Sequence, residues 1–88
     1  MKKNLMISPF YKKHNINIRI HVFKTNIETE ADISIIKVLF NSFSKIKQWS
    51  IDLEDIDNVL RIEATKNLSQ RVIIQNVKSK GFYCEELD

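Results

Sequence analysis

The sequence predicts an α+β domain of the ferredoxin-like class, in which two helices cover one face of a four-stranded antiparallel sheet. The hydrophobic periodicity changes along the chain in the order strand, helix, strand, strand, helix, strand. The length of 88 residues suits one domain, and 43% hydrophobic with 28% charged residues is typical of a globular chain. Right-handed crossovers then place both helices on the same face of the sheet.

The first strand is predicted from strict alternation between residues 16 and 23. One side of it carries Ile16, Ile18, Ile20 and Val22, and the other side, which we expect to face outward, carries Asn17, Arg19, His21 and Phe23. His21 and His14 each lack a second potential metal ligand at a recognisable spacing. Both are therefore interpreted as surface histidines rather than metal ligands.

The first helix is predicted from about Glu30 to about Lys45. Thr29 precedes it, and Asp32 follows three residues later, a spacing that resembles a capping box with Asp in place of Glu or Gln. The apolar residues that recur at helical spacing are Ile33, Ile36, Leu39, Phe40, Phe43 and Ile46.

A β-hairpin is predicted next, because two alternating runs flank the polar segment from Glu54 to Asn58. The second helix begins near Asn67 or Ser69 and ends at Gly81, which suits the left-handed position after a helix. Its predicted inward residues are Leu68, Val72, Ile73 and Val77, and a last strand follows with Phe82, Cys84 and Leu87.

The charge distribution divides the chain into two parts. Residues 1–27 hold six basic residues and no acidic one, whereas residues 28–88 hold eight basic and eleven acidic residues. We therefore predict a basic N-terminal arm over residues 1–15 and a mildly acidic domain over residues 16–88. A basic arm can attract nucleic acid or an anionic membrane, but it is also typical of a solvated tail.

The composition favours a cytoplasmic protein that does not enter the membrane. No apolar run reaches the roughly 20 residues that span a bilayer, and the apolar part of the N-terminus, residues 5–10, is short and followed by Lys12 and Lys13. The single cysteine, Cys84, excludes an intrachain disulfide and fits a reducing compartment.

Four segments together resemble the heavy-metal-associated domains, the copper-chaperone-like modules, and most closely the small stand-alone bacterial members. They are FKTNI (residues 23–27), KQWSIDLED (residues 47–55), NVLRIEA (residues 58–64) and VKSKGFYCEEL (residues 77–87). The resemblance implies a ferredoxin-like fold and a Cys-x-x-Cys pair between the first strand and the first helix. Two thiolates there satisfy copper(I), and the helix N-terminus stabilises the thiolate form.

This chain departs from that pattern at both ligand positions, which are occupied by Thr29 and Asp32. Glu28, Glu30 and Asp32 supply hard oxygen ligands instead, and acids in a first helical turn also stabilise the helix by themselves. The alternation of the last strand predicts that Cys84 faces the core as a small apolar residue, far from the junction. The alternative is that Cys84 is a dimer-forming or redox thiol. The resemblance therefore implies a degenerate member that has lost its metal site.

The function predicted from these residues is non-enzymatic, cofactor-free and independent of metal. No nucleophile motif, phosphate loop or placed carboxylate pair is present, so we do not expect an enzyme. The candidate docking face for an unknown protein partner comprises Ile27, Glu28, Thr29, Glu30 and Asp32, because its negative charge would suit a basic surface.

Three alternatives to this function stay open. The chain could be a copper or zinc accessory protein that uses Cys84 as a reactive thiol, or acidic ligands. Nucleic-acid binding through the basic arm is disfavoured because the outward positions lack the stacking rings that RNA-recognition modules carry on their central strands. A homodimer could form through strand edges with Phe23 and Tyr83 as contact surface.

Overall fold

The computed structural model describes residues 17–87. The predicted basic arm over residues 1–15, with His14, and the predicted strand residue Ile16 lie outside the described part of the chain. The elements, in chain order, are β1 (Ile18–Thr25), α1 (Glu30–Asn41), β2 (Ile46–Asp52), β3 (Val59–Thr65), α2 (Gln70–Ser79) and β4 (Cys84–Glu86).

The four strands form one antiparallel sheet in the order β2-β3-β1-β4, which confirms the predicted α+β class. β1 is central: it pairs with β3 over Ile18–Phe23 and with the short β4 over Phe23–Thr25. β2 pairs only with β3 among the described residues, so it lies at one edge of the sheet. None of the described helices has the length and apolar character needed to cross a bilayer.

The hydrophobic core lies between the sheet and the two helices. Phe23 in β1, Leu60 and Ile62 in β3, Ile36 in α1 and Val77 in α2 have no exposed surface. Because dense packing of such side chains supplies most of the stability of a small domain, these residues fix the relative positions of the elements. The other buried apolar residues are Ile27, Leu39, Phe40, Ala64, Leu68, Ile73 and Cys84.

The prediction for the two faces of β1 was wrong. Phe23, His21 and Thr25 face the helices and are buried, whereas Ile20 on the opposite face is 51% exposed. The register explains the reversal, because His21 lies opposite Ile62 and Phe23 lies opposite Leu60, on the face that the helices cover. A strand with apolar residues on both sides does not indicate by itself which side meets the core.

The first helix is shorter than predicted, whereas the second matches its prediction. α1 ends at Asn41, since the Ser42 hydroxyl donates a hydrogen bond of 2.5 Å to the Leu39 carbonyl and so competes with the helix backbone. Ile46, predicted as a helix residue, begins β2. At the end of α2, Gly81 has φ +94, a conformation that glycine adopts without strain, as predicted.

Candidate functional site

The junction between β1 and α1 is a complete capping box. Thr29 is the N-cap, and its Oγ1 accepts a hydrogen bond of 3.0 Å from the Asp32 backbone N–H. The Asp32 carboxylate accepts in return from the backbone N–H of Thr29 at 3.2 Å and of Glu28 at 3.1 Å. The predicted capping box is therefore confirmed, and both side chains at the resemblance's ligand positions already serve the helix start.

The electrostatics of this cap keep Asp32 ionised. Hydrogen bonds from the backbone N–H groups of Glu28 and Thr29 lower the pKa of the Asp32 carboxyl below its ordinary value. A carboxylate and a hydroxyl are hard ligands, so these two positions do not supply the soft donors that copper(I) requires. Within residues 17–87, no three His, Cys, Asp or Glu side chains are close enough together to hold a metal ion.

The loop between β2 and β3, residues 53–58, lies against the end of β1. The Thr25 backbone N–H donates to the Asp57 carbonyl at 3.0 Å, and Thr25 Oγ1 donates to the Asn58 carbonyl at 2.6 Å. Lys24 Nζ lies 3.6 Å from the Asp57 carboxylate. These contacts hold the loop beside the β1–α1 junction, although the two segments are distant in the sequence.

The loop with the last residue of β2, and the junction with the first turn of α1, together form what we call the acidic edge. It carries seven of the eleven acidic residues of the chain: Glu28, Glu30, Asp32, Asp52, Glu54, Asp55 and Asp57. Because no three of these carboxylates lie close enough together to hold a metal ion, they create a negative surface and not a chelating cluster.

Exposed aliphatic side chains accompany these acids. Ile56, at the tip of the loop, is 96% exposed, and Leu53 is 43% exposed. Neither residue was predicted to belong to a functional site, although an isoleucine inside the polar run EDIDN was the available signal. Ile27, by contrast, has no exposed surface, so the predicted docking face must be corrected by removing it. Its side chain belongs to the core beneath the junction.

Cys84 is buried, with 2% of its surface exposed. Burial raises the pKa of its thiol to about 11, so the thiolate that binds metal or reacts is scarce at neutral pH. Its position differs from the expectation, because Cys84 lies directly opposite Thr25 and thus close to the junction in the sheet. The thiol nevertheless faces the core, which disfavours both a metal site and a reactive thiol there.

His21 is also buried, at 5% exposure, in contrast to the predicted surface position. Its ring stacks on Phe23 at a centroid distance of 6.1 Å, and within residues 17–87 its Nε2 has no hydrogen-bond partner. Burial lowers the pKa of His21, and the positive charge of Arg19 lowers it further, whereas Gln70 and Glu86 act in the opposite direction.

The uncovered face of the sheet does not resemble a base-stacking platform. Phe23, one of the rings expected there, is in the core, and the β1 residues that do face outward are three aliphatic residues and Lys24, with Ile20 half exposed. Tyr83 remains exposed at 45%, and its hydroxyl donates to Glu85 Oε1. Because Phe23 is buried, it cannot stack on a nucleic-acid base. For the same reason it cannot contribute to the predicted dimer surface with Tyr83.

Comparison with known proteins gives a likeness in structure but none in sequence. No protein-family model matches the chain, and no curated protein matches it. A solved structure described as the CsoZ metallochaperone superposes with a TM-score of 0.66 at 19% sequence identity, covering 77% of this chain and 97% of that one. Identity at this level supports a statement about fold alone. Residues 17–87 thus adopt a metallochaperone-like, ferredoxin-like fold.

Proposed function

We propose that this chain is a non-enzymatic docking domain that binds a basic protein surface through its acidic edge, without metal. The observation that carries the proposal is the placement of the β2–β3 loop beside the capped junction by Thr25. This placement puts the acidic loop, with the exposed Ile56, beside the acidic start of α1. A negative rim beside an exposed aliphatic side chain is suited to a partner that presents Lys or Arg around an apolar pocket.

The same arrangement supports the loss of a metal function. Thr29 and Asp32 hold each other in the cap, and Cys84 is buried with a raised thiol pKa. Copper(I) or zinc handling is the competing candidate, since a metallochaperone has the same fold. The two candidates differ in one measurable property, which is competition for metal.

The first experiment is a titration of copper(I), and separately of zinc, between the purified protein and a chromophoric chelator. We expect the chelator to keep the metal, because the junction offers no thiolate. Stoichiometric competition would overturn metal independence. Repeating the titration with Cys84→Ser would then show whether the thiol or the carboxylates hold the metal.

The second experiment uses a synthetic helical peptide with lysines around an aliphatic stripe as the probe of the acidic edge. We expect chemical-shift changes in the backbone amides of residues 28–32 and 53–57, weakening with added salt because exposed charges are screened. The paired variant Glu30→Gln with Glu54→Gln should weaken binding. Glu63→Gln with Glu86→Gln removes the same charge from the sheet and is the matched control.

Either of two results would contradict the docking proposal. Shift changes centred on the uncovered sheet face would place binding elsewhere on the molecule. Equal weakening by the two paired variants would show that the probe senses only net charge and not the acidic edge.

A further inference from the structure

The outer edge of β2 is an unpaired strand edge in the described structure. β2 runs for seven residues and lies at the end of the sheet, whereas β4, at the other end, has only three. Long edge strands invite pairing with another strand unless proline, charge or a bulge interrupts them. β2 contains no proline, and its irregularity lies between Ile46 and Gln48, so residues 48–52 form a regular edge.

The hydrogen-bond pattern shows which backbone groups this edge presents. The Thr65 N–H donates to the Lys45 carbonyl, so the odd-numbered residues of β3 direct their backbone groups toward β2. Their partners in register are Gln48, Ser50 and Asp52, whose backbone groups therefore point back to β3. By the alternation of an antiparallel ladder, the N–H and C=O groups of Trp49 and Ile51 point away from the sheet.

The side chains of the same two residues are apolar and only partly buried. Trp49 packs edge-on against Phe40, at a centroid distance of 5.4 Å and an interplanar angle of 79°, and Ile51 lies two residues further along the same face. A second strand beside β2 would cover both side chains while it paired their backbone groups. Aromatic and β-branched neighbours across a strand pair stabilise each other.

The opposite charges at the two ends of β2 favour a second copy of this chain as the strand that pairs with this edge. Lys45 and Lys47 lie at the start of the segment, and Asp52, Glu54 and Asp55 lie at its end. Two copies of β2 arranged antiparallel would bring each basic start against the acidic end of the other copy. A parallel arrangement would place like charges together, which is unfavourable.

We infer that two copies of this chain associate through the outer edges of β2, antiparallel about a two-fold axis near Ser50. In this register Trp49 of each copy lies opposite Ile51 of the other, and the two sheets become continuous. A two-fold interface closes on itself, so the assembly ends at two copies. The acidic end of this interface shares Asp52, Glu54 and Asp55 with the acidic edge, but the inference rests on the outward backbone groups of β2 and does not require docking to a basic partner.

Sedimentation equilibrium measures the association, over protein concentrations from about 10 µM to about 1 mM because a single strand pair makes a small interface. We expect a monomer–dimer equilibrium that weakens between about 50 mM and about 500 mM salt. Lys45→Glu with Lys47→Glu, and separately Asp52→Lys with Glu54→Lys, should each raise the dissociation constant at least about tenfold.

An equimolar mixture of those two variants provides the decisive test. The first variant has an entirely acidic edge and the second a mainly basic one, on which Asp55 is the remaining acid, so the mixture should form a heterodimer although neither variant dimerises. Lys37→Glu with Arg71→Glu makes the same change in net charge on the exposed surfaces of the two helices and should leave the dissociation constant unchanged. Circular dichroism of each variant would show that it is folded.

Amide hydrogen exchange locates the interface independently of charge. The Gln48 and Ser50 amides should be protected at every protein concentration, whereas the Trp49 and Ile51 amides should gain protection only as the concentration rises. A monomer throughout the concentration range would overturn the inference. Protection of Trp49 and Ile51 that did not change on dilution would also overturn it, because the edge would then be covered within one chain.

Discussion

The Thr25 hydroxyl donates a hydrogen bond of 2.6 Å to the backbone carbonyl of Asn58, across 33 positions of sequence. The same oxygen accepts from the Ile27 N–H at 3.2 Å, so one buried side chain connects the β2–β3 loop to the β1–α1 junction. Asn58 has φ +43, a left-handed conformation that asparagine tolerates better than most residues. This connection positions the acidic edge.

Removal of the Thr25 hydroxyl should loosen that connection. Thr25→Val leaves a partly buried carbonyl and a buried N–H without their partner, so we expect the free energy of unfolding to fall by about 1–3 kcal/mol. Urea denaturation would measure the change, and Thr25→Ser, which keeps the hydroxyl, is the control. Equal stability of the Val variant and the natural protein would show that the hydroxyl is not needed.

Loss of the helix cap should destabilise the protein moderately. Thr29→Ala removes the acceptor for the Asp32 N–H, and we expect a loss of about 1 kcal/mol in the free energy of unfolding. Thr29→Ser retains an acceptor and should cost much less. If Thr29→Ala proved neutral in urea denaturation, the capping role of the junction would have to be abandoned.

The buried His21 should make stability depend on pH. Its pKa is lower than the ordinary 6.5, mainly because of burial, so the folded state binds fewer protons than the unfolded state in this range. The contribution of neutral His21 to the free energy of unfolding is therefore fully present above pH 6.5 and is lost as the pH falls through the folded-state pKa.

Two variants separate this effect from other titrations. His21→Leu should flatten the decline in unfolding free energy below pH 6.5, whereas His14→Gln, at the other histidine of the chain, should not. An unchanged decline in His21→Leu would show that another group is responsible. Guanidinium denaturation at a series of pH values provides the measurement.

Cys84 should be unreactive in the folded protein. With a thiol pKa of about 11 and 2% exposure, we expect labelling by a maleimide to be far slower than in the denatured chain. Cys84→Ser should reduce the free energy of unfolding by about 1–3 kcal/mol, because it buries a hydroxyl where the thiol packed. Cys84→Ala, which buries no hydroxyl, is the comparison, and rapid labelling of the native protein would contradict the buried position.

The sequence by itself determined the features that depend on neighbouring residues. The capping box of Thr29 and Asp32 and the helix end at Gly81 each involve residues within about one helical turn. The order of strands and helices follows from periodicity within short segments, and the right-handed crossover rule then left few arrangements. These parts of the fold were predicted correctly for that reason.

Only the tertiary structure decided which face of β1 enters the core and which acids lie together. Ile20 and Phe23 are both strongly apolar, and the choice between their faces depends on pairing with Leu60 and Ile62, about 40 residues away. Likewise, the acidic β2–β3 loop lies beside the junction because Thr25 bonds to Asn58. Local patterns carry no information on such long-range pairings, which the packing of the whole domain sets.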